Sequence, residues 1–441
     1  MKIAKFGGTS TANAELLTRV RDIMYQNNRS GLVISACGKD REIPYGATDL
    51  LLVLAGEHNK NTQGMSSEQA LGYLGKRYSG ICQAFGYNDL EKNILGVLQK
   101  LPGQDRDFIA SRGEFFSASI ASRVLGWELI DPTQYIVIDN ESTRQPNIEE
   151  SVKRLSGLKG RRFVFPGFYG SYNGRVMTFN RGGSDLTQAL VASGVDATVA
   201  ENFTDVDGIY YADPRILRNG TKIVPETTYR EQRELSAMNS KLNEAAIYPL
   251  MIRGIPLQVR SSLNLSSPGT VISSTHKREN GIPIAGVAGR PGNVSMSLYK
   301  YRMDEEIGFT RKALSVLEQF KINVHDTPAT NDYQGINFRR PENFNEIKDE
   351  LSLKIQIATG SEVSFIDNNL ALVSVVGERM RNTPGLLARV ATSLAMANIN
   401  IETVSQGPSE SNIVLGVKDS DYVNAVNAIH DEFVHNGSPH T

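Results

Sequence analysis

Short apolar runs alternate with amphipathic stretches from Lys2 to about Ser261. Strands are predicted at the apolar runs and helices between them, the pattern of an α/β domain with a largely buried sheet. The predicted strands are Lys2–Phe6, Leu32–Ala36, Tyr135–Asp139, Phe163–Phe168, Ala200–Phe203 and Pro256–Val259. Helices are predicted notably over 107–124 and 184–194.

The Asn, Ser, Pro and Gly residues of Asn264–Gly269 indicate a connecting loop, and the pattern of apolar residues changes after it. We place the boundary between about 262 and 283, which predicts a first domain over 1–265 and a second region over 283–441. Compared with itself, the second region shows an internal repeat. Aligned pairs include Gly308 with Gly385, Leu317 with Leu394, and Ile322-Asn323-Val324 with Ile399-Asn400-Ile401.

Two copies of one βαβ unit are the simplest interpretation of this repeat. In each copy a glycine precedes a predicted helix with apolar positions three or four residues apart, and a strand follows. Any two βαβ units share part of this pattern, but the matched spacing and the shared Ile-Asn pair favour a true repeat. Paired modules after an enzyme domain suggest ligand sensing, although periodicity alone indicates only a fold.

Composition excludes several function classes. The 441 residues suit two or three domains, and 47 basic against 48 acidic side chains provide no overall field for nucleic acid or an anionic membrane. Two cysteines, Cys37 and Cys82, cannot build a disulfide framework or a zinc cluster, so a reducing, cytoplasmic location is expected. The sequence begins with a predicted strand and shows no export signal or membrane-spanning run.

Two glycine pairs stand where strands meet helices. In Lys5-Phe6-Gly7-Gly8-Thr9-Ser10 the glycines would let backbone N–H groups approach a phosphate, and Lys5 would add a charge. In Arg181-Gly182-Gly183-Ser184-Asp185 an arginine able to grip a carboxylate accompanies an acid at a helix start. A plain strand-to-helix turn and a simple helix cap are the alternatives, and no Walker loop is present.

A third motif runs from Thr204 to Tyr210 and closes with Ala212-Asp213-Pro214-Arg215. Its tight turn and aromatic side chain suit a pocket for a nucleotide base and ribose, although Asp207-Gly208 alone would be an ordinary turn.

No histidine lies near any of these motifs in the sequence. The six histidines are His58, His276, His325, His430, His435 and His440. A carboxylate acceptor with a pKa near ~3.9 is already ionised at neutral pH and needs no general base. The chemistry would then consist of positioning ATP, with Mg²⁺ bridging its oxygens and a lysine stabilising the transferred group.

Taken together, these motifs resemble the aspartate kinases of the amino-acid kinase superfamily over nearly the whole chain. The segment Lys5–Ser10 is similar to the family's first signature and Ser111-Arg112-Gly113-Glu114 to its second. The resemblance implies a three-layer αβα sandwich about an eight-stranded sheet, followed by two ferredoxin-like ACT modules. The first module would cover about 292–367, and the second about 368–435 plus a strand over 284–288.

The resemblance also implies site residues. Lys5 and Asp185 would be catalytic, with Asp185 orienting the catalytic lysines. The implied ATP-binding residues are Lys5, Gly7, Gly8, Ser10, Thr204, Asp205, Tyr210, Asp213, Arg215 and Lys241. The implied aspartate-binding residues are Thr48, Glu114, Arg181, Gly182, Gly183 and Ser184. Glu114 would bind the amino group and Arg181 the α-carboxylate. No protein metal site is implied, because Mg²⁺ would be held mainly by the ATP phosphates.

One position departs from the family pattern. Members often carry a second ATP-contacting lysine where this chain has Ser240, and Lys241 stands one place late. Either a one-residue slip brings Lys241 to the phosphates, or Lys5 acts alone.

The ACT modules of this family bind an amino-acid end product, often lysine, and form a homodimer through their sheets, while pairing of dimers into a tetramer stays open. The corresponding effector positions are Met303, Glu306, Gly308, Phe309, Val324 and His325, and His325 stands where some members have Asp.

The resemblance thus predicts ATP-dependent phosphorylation of L-aspartate to 4-phospho-L-aspartate, the first step toward lysine, threonine and methionine, under feedback control. Two alternatives stay open. A related kinase of glutamate or acetylglutamate should lack Glu114 in this setting and the ACT tail. An amino-acid-binding regulator without catalysis is suggested by Ser240 and by Asn180 before Arg181.

Overall fold

The computed structural model describes residues 1–180, 183–238, 244–275, 281–381, 383–407, 409 and 411–435, and the side chains of 244–245 and 366–368 stand outside that description. The chain forms two compact units. The first takes the described residues of Met1–Ile209, Ile223–Arg233 and Leu242–Arg278, and the second those of Tyr210–Lys222, Glu234–Lys241 and Glu279–Thr441.

The first unit is built on one large sheet. Its strands are β1 (Lys2–Phe6), β2 (Arg29–Ile34), β3 (Glu128–Leu129), β4 (Phe163–Pro166), β7 (Val199–Thr204), β8 (Glu226–Thr228), β9 (Leu257–Ser261) and β10 (Thr270–Ser273). They lie in the order β3-β4-β2-β1-β7-β9-β10-β8. Neighbours run parallel except β9 and β10. A separate hairpin joins β5 (Tyr169–Tyr172) and β6 (Arg175–Thr178).

Helices cover both faces of this sheet. They are α1 (Ala14–Met24), α2 (Ala47–Leu54), α3 (Ser67–Ala84), α4 (Asn88–Leu98), α5 (Arg106–Leu125), α6 (Ile148–Leu155), α7 (Gly183–Gly194), α8 (Tyr229–Ala237) and α9 (Glu244–Arg253). Successive residues of β1 point to opposite faces, so Ala4 packs in a core with α1 to α5 and Ile3 in one with α6, α7 and α9. The predicted three-layer αβα sandwich and its eight-stranded sheet are confirmed.

Two details differ from the predicted strands. The prediction of a strand over Tyr135–Asp139 was wrong, because Val137 and Ile138 form only isolated bridges, to Ser171 and Pro146. Strand β10 lies beyond residue 265, inside the predicted boundary region of about 262 to 283, and it belongs to the sheet of the first unit.

A buried ion pair crosses the centre of the sheet. Arg29 of β2 donates through Nε to Glu201 of β7 at 2.6 Å and through Nη2 at 2.8 Å, and both side chains are 1% exposed. The two strands flank β1. The Arg29 guanidinium also lies over the Phe203 ring, so its charge is held by a bidentate partner and an aromatic face.

The second unit contains a six-stranded sheet in the order β12-β13-β11-β14-β16-β15. Its elements are β11 (Gly286–Tyr299), α10 (Phe309–Gln319), β12 (Val324–Asp326), β13 (Tyr333–Arg339), α11 (Phe344–Thr359), β14 (Glu362–Val376), α12 (Leu386–Met396), β15 (Thr403–Gln406), β16 (Asn412–Lys418) and α13 (Tyr422–His430). A short π-helical turn, Asp431–His435, follows α13.

The internal repeat is visible in this unit. Gly308 and Gly385 each precede an 11-residue helix. Both glycines adopt the left-handed backbone conformation, with φ of 80° and 81°. Glycine adopts this conformation without the steric cost that other residues incur. The long strands β11 and β14 serve both copies, since 286–290 of β11 pairs with 372–376 of β14 and 295–299 with 362–367. Among the described residues, no helix combines the length and apolar character needed to cross a membrane.

Candidate active site

The carboxyl ends of the parallel strands β4, β2, β1 and β7 meet at one edge of the first unit's sheet. The chain leaves β1 toward β2 on one side and later returns with β7 on the other. Open α/β sheets bind ligands at such a switch point, because the loops diverge there and leave a crevice.

Lys5, near the end of β1, is held by two partners. Its Nζ lies 2.7 Å from Asp185 Oδ1 and 3.4 Å from Asn202 Oδ1, and Asn202 Nδ2 donates to the same Asp185 oxygen at 3.2 Å. The Lys5 and Asp185 side chains are 12% and 17% exposed. The structure therefore brings the two predicted catalytic residues into direct contact, in a place that solvent reaches only in part.

The glycine loop after β1 lies against the loop after β2. Gly38 donates its backbone N–H to the Gly8 carbonyl oxygen at 2.8 Å. A Cβ at Gly8 would come within 2.7 Å of the Ala36 carbonyl oxygen and 3.0 Å of Gly38 N. Gly8 is therefore required by close backbone approach. Gly7 has open space, since its Cβ would meet only Lys5 Nζ at 3.9 Å.

Glu114 lies within helix α5 and is 4% exposed. Its Oε2 has no hydrogen-bond partner among the described residues. Burial raises the pKa of this carboxyl to about 8, and a hydrogen bond from the Ala36 backbone offsets only part of that rise. Helix α5 can approach the end of β2 because position 113 is glycine, where a Cβ would lie 2.8 Å from Ala36 Cβ.

The other described substrate-binding candidates stand at helix starts near the same strand ends. Thr48 lies in the first turn of α2, and the preceding Ala47 donates its N–H to the Cys37 carbonyl oxygen at 2.8 Å. Gly183 and Ser184 open α7. Ser184 Oγ lies against Gly167, just after β4, where a Cβ would come within 2.5 Å.

Thr204 ends β7, and Asp205 follows it with a carboxylate that accepts from Thr204 Oγ1 at 3.1 Å. The Thr204 carbonyl oxygen accepts from Ser262 N at 2.8 Å. Ser262 Oγ lies 2.9 Å from Ser10 Oγ. The loops that follow β1, β7 and β9 are therefore joined by hydrogen bonds.

Tyr210, Asp213 and Arg215 belong to the second unit's segment 210–222. Arg215 Nε donates to Asp213 Oδ1 at 2.9 Å, and Asp213 also accepts from the Arg215 backbone at 3.0 Å. Arg215 and Asp213 therefore form a local ion pair. Arg181, Gly182 and Lys241 lie outside the described residues.

The six effector candidates lie in the first repeat, on both sides of α10. Met303 stands in a short helical turn, Glu306, Gly308 and Phe309 lead into α10, and Val324 and His325 lie on β12. Glu306 is bound by Lys300 and Lys312, which lower its pKa. Burial and Arg290 lower the pKa of His325 to about 4, so its imidazole is neutral at pH 7.

Sequence reasoning missed Asn202, the residue that touches both Lys5 and Asp185. A polar residue in the apolar run of a central strand was the available signal, since Asn202 is 8% exposed within β7. It also missed Ser262, whose backbone N–H and hydroxyl join the loops after β1 and β7, and Ala36, which lies against Gly8 and Gly113.

Among the described residues, one group of three potential metal ligands lies close together: His430, Asp431 and His435 of the second unit.

Comparison with known families matches both units. The amino acid kinase family matches residues 1–261, and the ACT domain matches residues 373–433. A crystal structure of Clostridium acetobutylicum aspartate kinase superposes with a TM-score of 0.86 at 32% identity, covering 98% of this chain and 100% of that one. Escherichia coli aspartokinase III in complex with aspartate and ADP has the same fold, with a TM-score of 0.75 at 23% identity, covering 98% and 99% of the two chains.

Aspartokinase 3 of Bacillus subtilis is 34% identical, covering 98% of each chain. Similarity of this extent includes both the kinase sheet and the ACT repeat, so it extends well beyond the glycine loop. This chain is therefore a member of the aspartokinase family, a kinase that transfers phosphate to a carboxyl group.

Proposed function

We propose that this kinase transfers the γ-phosphoryl group of Mg-ATP to the side-chain carboxylate of L-aspartate, forming 4-phospho-L-aspartate. The observation that carries the proposal is the contact of Lys5 with Asp185 at the switch point of an amino acid kinase sheet, with Nζ and Oδ1 2.7 Å apart. A fixed ammonium group at this place suits charge that develops on a transferred phosphoryl group.

The acceptor requires no general base. A carboxylate with a pKa near ~3.9 is ionised at neutral pH, whereas a hydroxyl acceptor would have to lose a proton. The described histidines lie on other parts of the chain: His58 after α2, His325 on β12, and His430 and His435 at the end of the second unit. Catalysis then depends on position and charge neutralisation.

In this proposal Asp185 and Asn202 hold Lys5 Nζ toward the phosphates, while the N–H groups around Gly7, Gly8 and Ser10 line them. Mg²⁺ bound to ATP would supply further neutralisation of the phosphate charge. Thr204, Asp205, Tyr210, Asp213 and Arg215 would hold the rest of the nucleotide. Either Lys241 would also contact the phosphates as a second cation, or Lys5 would be the one lysine that contacts them.

Aspartate would be recognised by groups of opposite charge. Glu114, whose Oε2 has no partner among the described residues, would take the amino group. Arg181 would take the α-carboxylate with help from Gly182, Gly183 and Ser184, and Thr48 would add a polar contact. The buried, unpartnered carboxyl oxygen supports this assignment, because an amine of the substrate would satisfy it.

A coupled assay with Mg-ATP and a panel of acceptors tests the reaction. We expect turnover with L-aspartate and much less with glutamate or acetylglutamate. Removing the charge with Lys5→Ala should lower kcat by about 10²–10³, the loss typical of one transition-state contact. Turnover that survives Lys5→Ala would contradict the catalytic role, and amino-acid binding without turnover would favour the regulator.

We further propose that the ACT region confers feedback control in the pathway to lysine, threonine and methionine, with lysine as the effector, in a cytoplasmic homodimer formed through these modules. The repeat and the ACT match support a regulatory unit. If Glu306 binds the effector, Glu306→Gln should weaken inhibition by lysine while uninhibited activity stays nearly unchanged. Inhibition assays with lysine, threonine and methionine, alone and combined, measure this. Loss of activity with inhibition retained would contradict the assignment.

A further inference from the structure

The segment 210–222 is joined along its second half to helix α13 and to the turn that follows it. All of these residues belong to the second unit. The contacts are Asn427 Nδ2 to the Ile216 carbonyl oxygen at 2.9 Å, Arg218 N to Asn427 Oδ1 at 2.9 Å, Asn219 Nδ2 to Asp431 Oδ2 at 3.2 Å, Thr221 Oγ1 with His430 Nε2 at 2.8 Å, and Lys222 Nζ to the Val434 carbonyl oxygen at 3.2 Å.

Asn427 is the most constrained of these contacts. Its amide donates to Ile216, accepts from the backbone N–H of Arg218, and uses its other hydrogen on the Val423 carbonyl oxygen at 2.7 Å. The side chain is 5% exposed. It therefore pairs with the segment's backbone as a neighbouring strand would, and its removal would take a partner from the half-buried Ile216 carbonyl oxygen and from the Arg218 N–H.

The first half of the segment is fixed independently. Tyr211 accepts at its carbonyl oxygen from Val287 N at 2.6 Å and donates its own N–H to the Lys222 carbonyl oxygen at 3.2 Å. Asp213 and Arg215 lie between this anchor and Ile216. The backbone that carries them is thus set from one side by β11 and from the other by Asn427.

We propose that Asn427 is a positioning residue for nucleotide binding: by holding Ile216 and Arg218 it fixes the stretch that presents Asp213 and Arg215. The inference rests on the proposed nucleotide role of that stretch. Asn427 lies within residues 373–433, which match the ACT domain. Aspartate recognition at Glu114 and Thr48 would not depend on this contact.

The test compares Asn427→Ala with Asn424→Ala. Asn424 is exposed and accepts a hydrogen bond from the Arg218 guanidinium rather than from the segment's backbone, so it serves as the matched control. We expect Asn427→Ala to raise the KM for ATP and the Kd for ADP by about tenfold, the effect of losing two part-buried hydrogen bonds. The KM for aspartate and kcat should stay within about twofold, and Asn424→Ala should match the wild type.

A second variant, Thr221→Val, keeps the side-chain shape but removes the hydroxyl that contacts His430. It should raise the KM for ATP by about two- to fivefold, and it decides the question if Asn427→Ala fails to fold. An unchanged KM for ATP in a folded Asn427→Ala enzyme, or in Thr221→Val should the first variant not fold, would overturn the inference. Equal losses for ATP and aspartate would do so too, because they indicate general disruption.

Arg215→Ala separates this inference from the proposed nucleotide role. If Arg215→Ala leaves ATP binding unchanged, the role of the segment in holding ATP is wrong and the inference falls with it. If Arg215→Ala weakens ATP binding while Asn427→Ala and Thr221→Val do not, only the inference about Asn427 is wrong.

Discussion

At the scale of single residues, Glu114 shows how surroundings change the chemistry of a common side chain. An exposed glutamate is ionised at neutral pH, but burial in α5 raises the pKa of Glu114 to about 8. Between the ordinary value of 4.5 and about 8, the folded protein holds one more proton than the unfolded chain. The free energy of unfolding therefore falls as pH rises through this range.

Aspartate binding should depend on the same proton. If Glu114 must be ionised to take the substrate's ammonium group, the KM for aspartate should fall by about tenfold per pH unit as pH rises toward about 8. Initial rates between pH 6 and pH 9 measure this, and calorimetry in buffers of different ionisation enthalpy counts the proton released.

Glu114→Gln is the control for this dependence. The amide does not titrate, so the variant should bind aspartate weakly and with little pH dependence. A wild-type KM for aspartate that is flat below pH 8 would show that Glu114 does not bind the amine in its ionised form.

At the scale of elements, the site depends on two strand ends that approach one another without side chains. The Gly8 carbonyl oxygen accepts from Gly38 N at 2.8 Å, so the loops after β1 and β2 share a hydrogen bond. This contact sets the path of the backbone that would line the phosphates.

Alanine should destabilise the protein at Gly8 and have little effect at Gly7. Gly8→Ala places a Cβ 2.7 Å from a backbone oxygen that cannot move cheaply, and it should destabilise the first unit by about 1–3 kcal/mol. Gly7→Ala has open space and an ordinary φ of −77°, so its cost should stay within about 0.5 kcal/mol. Thermal unfolding midpoints measure both. Equal losses would indicate that close approach is not what requires Gly8.

At the scale of the whole molecule, the division into units does not follow chain order. The segment 210–222 lies in the middle of the catalytic sequence but packs with the ACT elements. Its Tyr211 carbonyl oxygen accepts a hydrogen bond from Val287 N, its Ile216 carbonyl oxygen accepts one from Asn427 Nδ2, and its Arg218 N–H donates one to Asn427 Oδ1. A cut near residue 278 therefore separates elements that fold together.

A chain ending at Arg278 should bind ATP much more weakly than the full chain, because segment 210–222 loses these partners. Co-expression with the fragment 279–441 should restore ATP binding, and the same fragment carrying Asn427→Ala should restore it less. ADP titration of the purified proteins measures the difference. An isolated 1–278 chain with full ATP affinity would show that the segment is positioned without the ACT elements.

The sequence was sufficient for features encoded in local patterns. The α/β alternation, the strand Lys2–Phe6, the helix α5 and the repeat with Gly308 and Gly385 are periodic signals or single-residue conformational requirements. Local hydrogen bonding and side-chain spacing produce these periodic signals and conformational requirements, so both can be recognised from the sequence. The motifs around Lys5 and Asp185 indicated where to look, although a plain turn or a helix cap would fit each motif on its own.

Tertiary structure alone decided which distant residues meet. Asn202 joins Lys5 to Asp185, Arg29 meets Glu201 across the sheet, and Asn427 holds a segment more than two hundred residues earlier. The raised pKa of Glu114 likewise follows from burial rather than from its motif. Burial and long-range contacts depend on how elements pack, which the spacing of residues along the chain does not record.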